Sequence, residues 1–305
     1  MSKKAELIVE NRKLVVSNLD KVLYPKDGFT KGELINYYIR IAPVLLPHLK
    51  DRPLTMKRYP DGVEGEFFYE KNCPSHRPKW VKTAKVWSEG NQREMQYCLA
   101  QDLPTLVWAA NLADIELHTS LSRKKDVARP TMMVFDLDPG APADIVQCCA
   151  VGLWLREILA SMNLKSWAKT SGSKGLQVYV PLNTAVTYDQ TKRLSHAIAE
   201  YLEREHPRLV VSKMAKALRH GKVFVDWSQN DEHKTTICVY SLRAKDAPTA
   251  STPVTWDEVG EAGKKKSRNR LVFRCDQTLA RVEKIRDLFE QVETLKQKLP
   301  KKWKL

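Results

Sequence analysis

The segment TMMVFDLDPG, residues 131–140, limits the fold more than any other stretch of the chain. Alternate side chains of a β-strand leave opposite faces of the sheet. Written as a strand, the segment sends Met133, Phe135 and Leu137 to one side and Asp136 and Asp138 to the other. One face therefore belongs in a hydrophobic core. The other carries paired negative charge where Pro139 and Gly140 end the strand. Carboxylates this close repel unless they share a cation, and oxygen-only ligands suit magnesium or manganese. The alternative, aspartates that bond the backbone of a turn, is equally open on this segment alone.

A second strand shifts the balance. In KVFVDWS, residues 222–228, Asp226 stands alone among Val, Phe and Trp. A buried, unpaired carboxylate is costly, so this acid needs a partner or an ion. If the two strands are neighbours, three acids converge as a two-metal phosphoryl-transfer site requires. Between them, KTSGSKGLQVYV (169–180) joins two strand-like runs through Ser171, Gly172, Ser173, Lys174 and Gly175. Glycines let backbone N–H groups approach a phosphate, hydroxyls add donors and lysine adds charge. P-loop spacing is absent, and a plain hairpin turn is the alternative. SKMAKALRHGK (212–222) sets Lys213, Lys216, Arg219 and Lys222 at helical intervals before the Asp226 strand, and SLR (241–243) follows the next one. Arg219 and Arg243 are candidates to clamp a triphosphate; a solvated basic face is the plainer reading of the run.

Thr30 followed by Glu33 has capping-box spacing and predicts a helix up to Pro47. Further helices are expected over 143–162, 188–205 and 278–298. The β-type runs PLTMKRYP, EFFYEK, SWAKTS, LQVYVPL and TTICVYSL interleave with them irregularly. That mixture predicts an α+β fold with mostly antiparallel sheets, in two packed lobes about a central cleft. No repeat or low-complexity linker divides the chain, so residues 1–305 are read as a single catalytic domain. The polar stretch 244–270 is read as a surface connection to the last helix.

Lys and Arg number 51 against 36 Asp and Glu, a net charge of +15. Such a surplus favours a polyanion, nucleic acid first, although charge alone does not separate nucleic acid from an acidic membrane surface or from plain solubility. No signal peptide or long apolar run is evident, so a cytoplasmic, nucleoid-associated protein with no membrane partner is expected. The six cysteines (Cys73, Cys98, Cys148, Cys149, Cys238, Cys275) lack paired zinc spacing and read as free thiols. Cys73 and His76 make at most half a zinc site.

FDLDPG, TSGSKGL, KVFVDWSQN and YSLR, with SNLDKVLYPKDGFTKGELINYY and RPLTMKRYPDGV nearer the N-terminus, resemble the polymerase domain of bacterial ATP-dependent DNA ligase D. That domain belongs to the archaeo-eukaryotic primase (prim-pol) superfamily, and the resemblance spans nearly the whole chain. It implies the primase-polymerase fold, with Asp136, Asp138 and Asp226 as catalytic metal ligands. It implies that Ser171, Ser173, Lys174, Gln177, Arg219 and Arg243 hold the nucleotide's phosphates, and that His118 and Gln229 line the nucleotide site. Asn18, Lys21 and Lys31 match a pocket for the 5′-phosphate of a gapped strand. Lys57, Arg58, Phe68 and Tyr69 fall where the template is held, the aromatics by base stacking. On the residues alone, His118 and the aromatics read as core, and Lys21 and Lys31 as surface lysines. One position departs from the family: where SGxKGLH usually has histidine, this chain has Gln177, which can donate a hydrogen bond but cannot become cationic. Triphosphate affinity or metal preference is expected to differ accordingly.

The implied activity is template-directed nucleotidyl transfer from nucleoside triphosphates to 3′ ends at DNA breaks. The resemblance also implies manganese ahead of magnesium, ribonucleotides, short gap filling, and non-homologous end joining with Ku. No KxDG adenylation site is present, so sealing is assigned to a DNA ligase outside these residues. Two rivals stand beside this reading: a de novo primase using the same acids, and a non-catalytic end-bridging protein.

Overall fold

The computed structural model describes residues 4–88 and 91–303. The chain divides into two compact units, each assembled from discontinuous segments. The first takes the residues up to Lys125, with Thr235–Ala250 and Arg274–Arg286; the second takes Asp126–Lys234, Ser251–Phe273 and the residues from Asp287 onward.

The first unit holds an antiparallel sheet ordered Thr236–Ile237, Asp114–Thr119, Leu54–Arg58, Arg93–Cys98 and Thr83–Ser88, with Phe68–Glu70 added beside Leu54–Arg58. The helix Lys31–Leu49 begins at the expected capping box: the Thr30 hydroxyl accepts from Glu33 N, and Glu33 reaches back to Thr30 N. Leu34, Tyr38, Ile41 and Leu45 form its inner stripe, all fully buried. The helix runs past Pro47 to Leu49.

In the second unit, the six-stranded sheet runs Val210–Val211, Val223–Asp226, Met132–Pro139, Leu176–Pro181, Trp167–Thr170, Pro253–Val254. All pairings are antiparallel except the first. The alternation read in 131–140 is realised on both faces. Met133, Phe135 and Leu137 oppose Val180, Val178 and Leu176 across one strand pair, and all six sit in one core with the helices Ile145–Ser161 and Tyr188–Glu205. Each such buried side chain contributes roughly 1.5–3 kcal/mol. This anchors the strand, and thereby the opposite face.

Three expectations are revised. The stretch 244–270 is not a surface connection. It contributes the strands Thr249–Ala250 and Pro253–Val254 and the helix Trp256–Lys264, with Ser251 and Thr252 fully buried. That helix starts at a Thr255–Glu258 capping box within an otherwise polar stretch. The single helix expected over 278–298 is two, Cys275–Ile285 and Glu290–Thr294, because Arg286 adopts φ 58° and stops the first. Finally, Cys73 and Cys98 are not free thiols but a disulfide with Cα atoms 5.0 Å apart. Pairing of Cys73 N with Gln96 O draws the two together and removes Cys73 as a zinc ligand. The other four cysteines are free and buried. Among the described residues, no helix is long and apolar enough to cross a membrane.

Candidate active site

The site is built on the middle strands of the second unit's sheet. Asp136 lies directly opposite Asp226 in the antiparallel register, and Asp138 is two residues along on the same face, opposite Phe224. Side chains opposite each other stand with Cβ atoms roughly 5 Å apart. The backbone therefore aligns all three acids as expected. The carboxylates themselves are not gathered: among the described residues, no three His, Cys, Asp or Glu side chains group into a metal site. Asp226 is engaged by its own segment. Its Oδ1 accepts from Ser228 N at 2.9 Å and from the Ser228 hydroxyl, and its Oδ2 accepts from Gln229 Nε2 at 2.8 Å. In this position it caps the short 3₁₀ turn Trp227–Gln229.

Asp136 does not do this. Its Oδ1 is shielded from solvent and has no hydrogen-bond partner. Burial first, then Asp138, pushes its pKa up to about 7; a hydrogen bond from Gln177 opposes the rise and Asp226 adds to it. An orphaned buried oxygen beside two further acids fits a divalent ion, which would supply the missing partner and neutralise the repulsion. Asp136, Asp138 and a reoriented Asp226 are the residues that would hold it.

Arg219 lies over the Phe224 ring at 3.8 Å, donates to Met214 O at 2.7 Å, and brings Nη1 to 3.9 Å from Asp138. Its segment is the 3₁₀ turn Lys216–Arg219 rather than an α-helix. The turn Ser171–Gly175 lies against the acid strand, with Lys174 Nζ donating to Pro139 O at 3.0 Å. Here the glycine reading needs correction. A Cβ on Gly175 would stand 2.4 Å from Leu137 O, so this glycine permits close approach of the protein's own backbone. Ser171 Oγ accepts from the N–H groups of Ser173 and Gly175 at 3.2 and 3.1 Å, and so already occupies donors expected to face a phosphate.

Two residues of this face were not legible beforehand. Lys169, fully buried, is hydrogen-bonded to Gln177 and Ser251. Asn230 uses its amide to bond both N–H and C=O of Val134, which fixes the Asp226 turn to the acid strand. Gln229, expected at the nucleotide, instead steadies Asp226.

In the first unit, the expected residues fall in two groups. Buried Glu116 accepts from His118 Nε2 at 3.0 Å and Ala244 N at 3.1 Å, with Arg243 Nε at 3.4 Å and Lys57 Nζ at 3.6 Å. Burial would raise its pKa, but His118, Arg243 and Lys57 outweigh that and hold it at about 2. Burial lowers the pKa of His118, against the pull of Glu116. Glu116 thus organises His118 and Arg243, a role that nothing in ADIELH announced. Lys57 faces the Phe67, Tyr59 and Tyr69 rings at 4.3–5.4 Å. Arg58 pairs with Glu70 and donates to Leu112 O at 2.9 Å. Neither is a freely extended DNA-binding cation. Phe68 and Tyr69 are not core: they are exposed, together with Phe67, an aromatic cluster available for stacking.

The second group is tighter than surface lysines would be. Lys21 N bonds Asn18 O at 3.0 Å and Lys31 N bonds Lys21 O at 2.8 Å. Lys21 pairs with Asp61 at 2.7 Å. Lys31 is buried, and its Nζ donates to Ser17 O at 2.7 Å. Burial first, then Lys21 and Arg58, lowers its pKa to about 8.

Comparison with known proteins gives this geometry a class, that of metal-dependent nucleotidyltransferases of the primase-polymerase type. The LigD primase-polymerase domain matches residues 30–289. The chain is similar to the multifunctional non-homologous end joining protein LigD of Mycolicibacterium smegmatis, 38% identical over 91% of this chain and 36% of that protein. It is also similar to the bifunctional LigD of Bacillus subtilis, 34% identical over 89% of this chain and 43% of that one. Among solved structures, the polymerase domain of Mycobacterium tuberculosis ligase D, in complex with DNA, matches with a TM-score of 0.84 and 37% identity, over 92% of this chain and 98% of that one. The chain belongs to the LigD primase-polymerase domain family. It spans little more than a third of the length of the M. smegmatis protein.

Proposed function

We propose that this chain extends 3′ ends and fills short gaps at DNA double-strand breaks during end joining, incorporating nucleotides against a template with a preference for ribonucleotides. The observation that carries the reading is the register that sets Asp136 opposite Asp226 with Asp138 on the same face, over a core that anchors the strand. Asp136 offers its unpartnered Oδ1 to a divalent ion, manganese in preference to magnesium, with Asp138 and Asp226 completing the ligand set. Held there, such an ion would supply the acidity needed to activate a primer 3′-hydroxyl and positive charge opposite a leaving pyrophosphate. Arg219 and Lys174 hold the triphosphate by charge, Ser171 and Ser173 by hydrogen bonds, and Gln177 orients Asp136. His118 and Arg243, steadied by Glu116, contact the nucleotide. Phe68 and Tyr69 stack on template bases, with Phe67 beside them, and Asn18, Lys21 and Lys31 receive a 5′-phosphate.

The expected partners are gapped or broken DNA, nucleoside triphosphates, Ku and a DNA ligase. Support comes from the family membership and from the names of the relatives, which are end-joining proteins. The test is primer extension on a gapped duplex with manganese or magnesium, offering ribo- and deoxyribonucleotides separately. Asp136→Ala is expected to abolish extension while DNA binding is kept or improved. Extension that survives Asp136→Ala overturns the polymerase reading.

A further inference from the structure

Four residues of the second unit occupy one cross-strand row: Asp226, Asp136, Gln177 and Lys169. The last is fully buried, where an ammonium is tolerated only with strong partners. Lysine has donors and no acceptor, so of the two ends of the Gln177 amide it can engage only Oε1, and it does. A second bond, 2.6 Å to Ser251 Oγ, fixes the ammonium, and Ser251 in turn donates to Thr170 O at 2.8 Å. With Oε1 held, Nε2 is the end of the amide left for Asp136, which lies directly opposite Gln177 in the strand register. The Asp136 Oδ1 atom is left without a partner.

We infer that Lys169 is a positioning residue: by fixing which end of the Gln177 amide meets Asp136, it aims the Asp136 carboxylate at the divalent ion. A glutamine amide presents a donor at one end and an acceptor at the other. Reversed, it would set a carbonyl oxygen against a carboxylate and turn the carboxylate away. Lys169 forbids that reversal. The inference rests on Asp136 being a metal ligand, as proposed above.

The test is Mn2+ binding to the intact protein without nucleotide, followed by electron paramagnetic resonance of the free ion. Wild type and Asp136→Ala are compared first. If both bind alike, the ligand reading fails and takes this inference with it. With Asp136-dependent binding in hand, Lys169→Met is expected to weaken Mn2+ affinity about tenfold or more, the usual scale for groups supporting a metal ligand. The double variant Lys169→Met with Gln177→Leu should bind no more weakly than Gln177→Leu alone, since an absent amide needs no orienting. A purely structural lysine would lower thermal stability without that non-additivity. Unchanged affinity in Lys169→Met, or losses that multiply in the double variant, overturns the inference. Ser251→Ala keeps the charge and removes one anchor; it should weaken Mn2+ affinity measurably, by less than Lys169→Met does. If Lys169→Met does not fold, unchanged Mn2+ affinity in Ser251→Ala overturns the inference instead.

Discussion

Raising the pH interrogates the proposed 5′-phosphate pocket through Lys31. The side chain is only 6% exposed, and its pKa falls from 10.5 to about 8 through burial, with Lys21 and Arg58 adding to the drop. A terminal phosphate is already close to doubly charged above about pH 7. Over the range tested, the phosphate is therefore constant and the lysine is the variable. The ammonium attracts the phosphate and the neutral amine does not. The charged fraction of Lys31 in the free protein falls from about 90% at pH 7 to about 10% at pH 9. Bound phosphate raises the lysine's pKa, so between the free and bound values the preference for a 5′-phosphorylated gap should drop by up to about tenfold per pH unit. The sign is fixed: preference is full below the free pKa and is lost as pH rises through it. The assay is fluorescence anisotropy at constant ionic strength on gapped duplexes with and without the 5′-phosphate, and the quantity read is the ratio of affinities. Lys31→Met should give a small ratio that does not vary with pH. A wild-type ratio that is constant between about pH 7 and about pH 9.5 refutes the assignment of Lys31 to the phosphate.

Glu116→Gln removes the charge that His118, Arg243 and Lys57 share, and breaking such a buried cluster typically costs about 3–5 kcal/mol. Urea unfolding should show that loss, and nucleotide KM should rise while DNA affinity is unchanged. Gly175→Ala places a methyl 2.4 Å from Leu137 O. The strand and turn must separate, at about 1–3 kcal/mol by the same unfolding assay, and extension should slow with it. Thiol titration of the denatured, unreduced protein should count four free thiols, and six after reduction, if Cys73 and Cys98 are joined.

What could be read beforehand was local. Alternation over 132–139 announced both the core face and the acid face, and Thr30–Glu33 announced a helix start. The same capping signature at Thr255–Glu258 is masked by its polar flanking stretch, and burial there comes from pairing of Pro253–Val254 with Trp167–Thr170. Lys169 and Glu116 each look like an ordinary charge in a strand. Only the strand beside each reveals its partner there, Gln177 for one and Lys57 for the other. The same is true of Cys73 and Cys98, 25 residues apart with no motif between them. The turn glycine was legible as a glycine that matters, but not for its reason, since the oxygen that would collide with a side chain belongs to a distant strand. Arg286 ends its helix in a left-handed conformation with neither glycine nor proline to mark the stop.

The strand Met132–Pro139 serves two masters with a single setting. Its apolar half is interlocked with Val178, Val180 and Val225, and its acidic half faces Gln177 and Asp226. Sliding it by one position would rotate Asp136 and Asp138 inward and Met133, Phe135 and Leu137 outward at once. Lesions that misalign the acids should therefore surface as poorly folding protein rather than as a well-folded, sluggish polymerase, and tolerated variation should concentrate in the side chains that tune the acids from neighbouring strands.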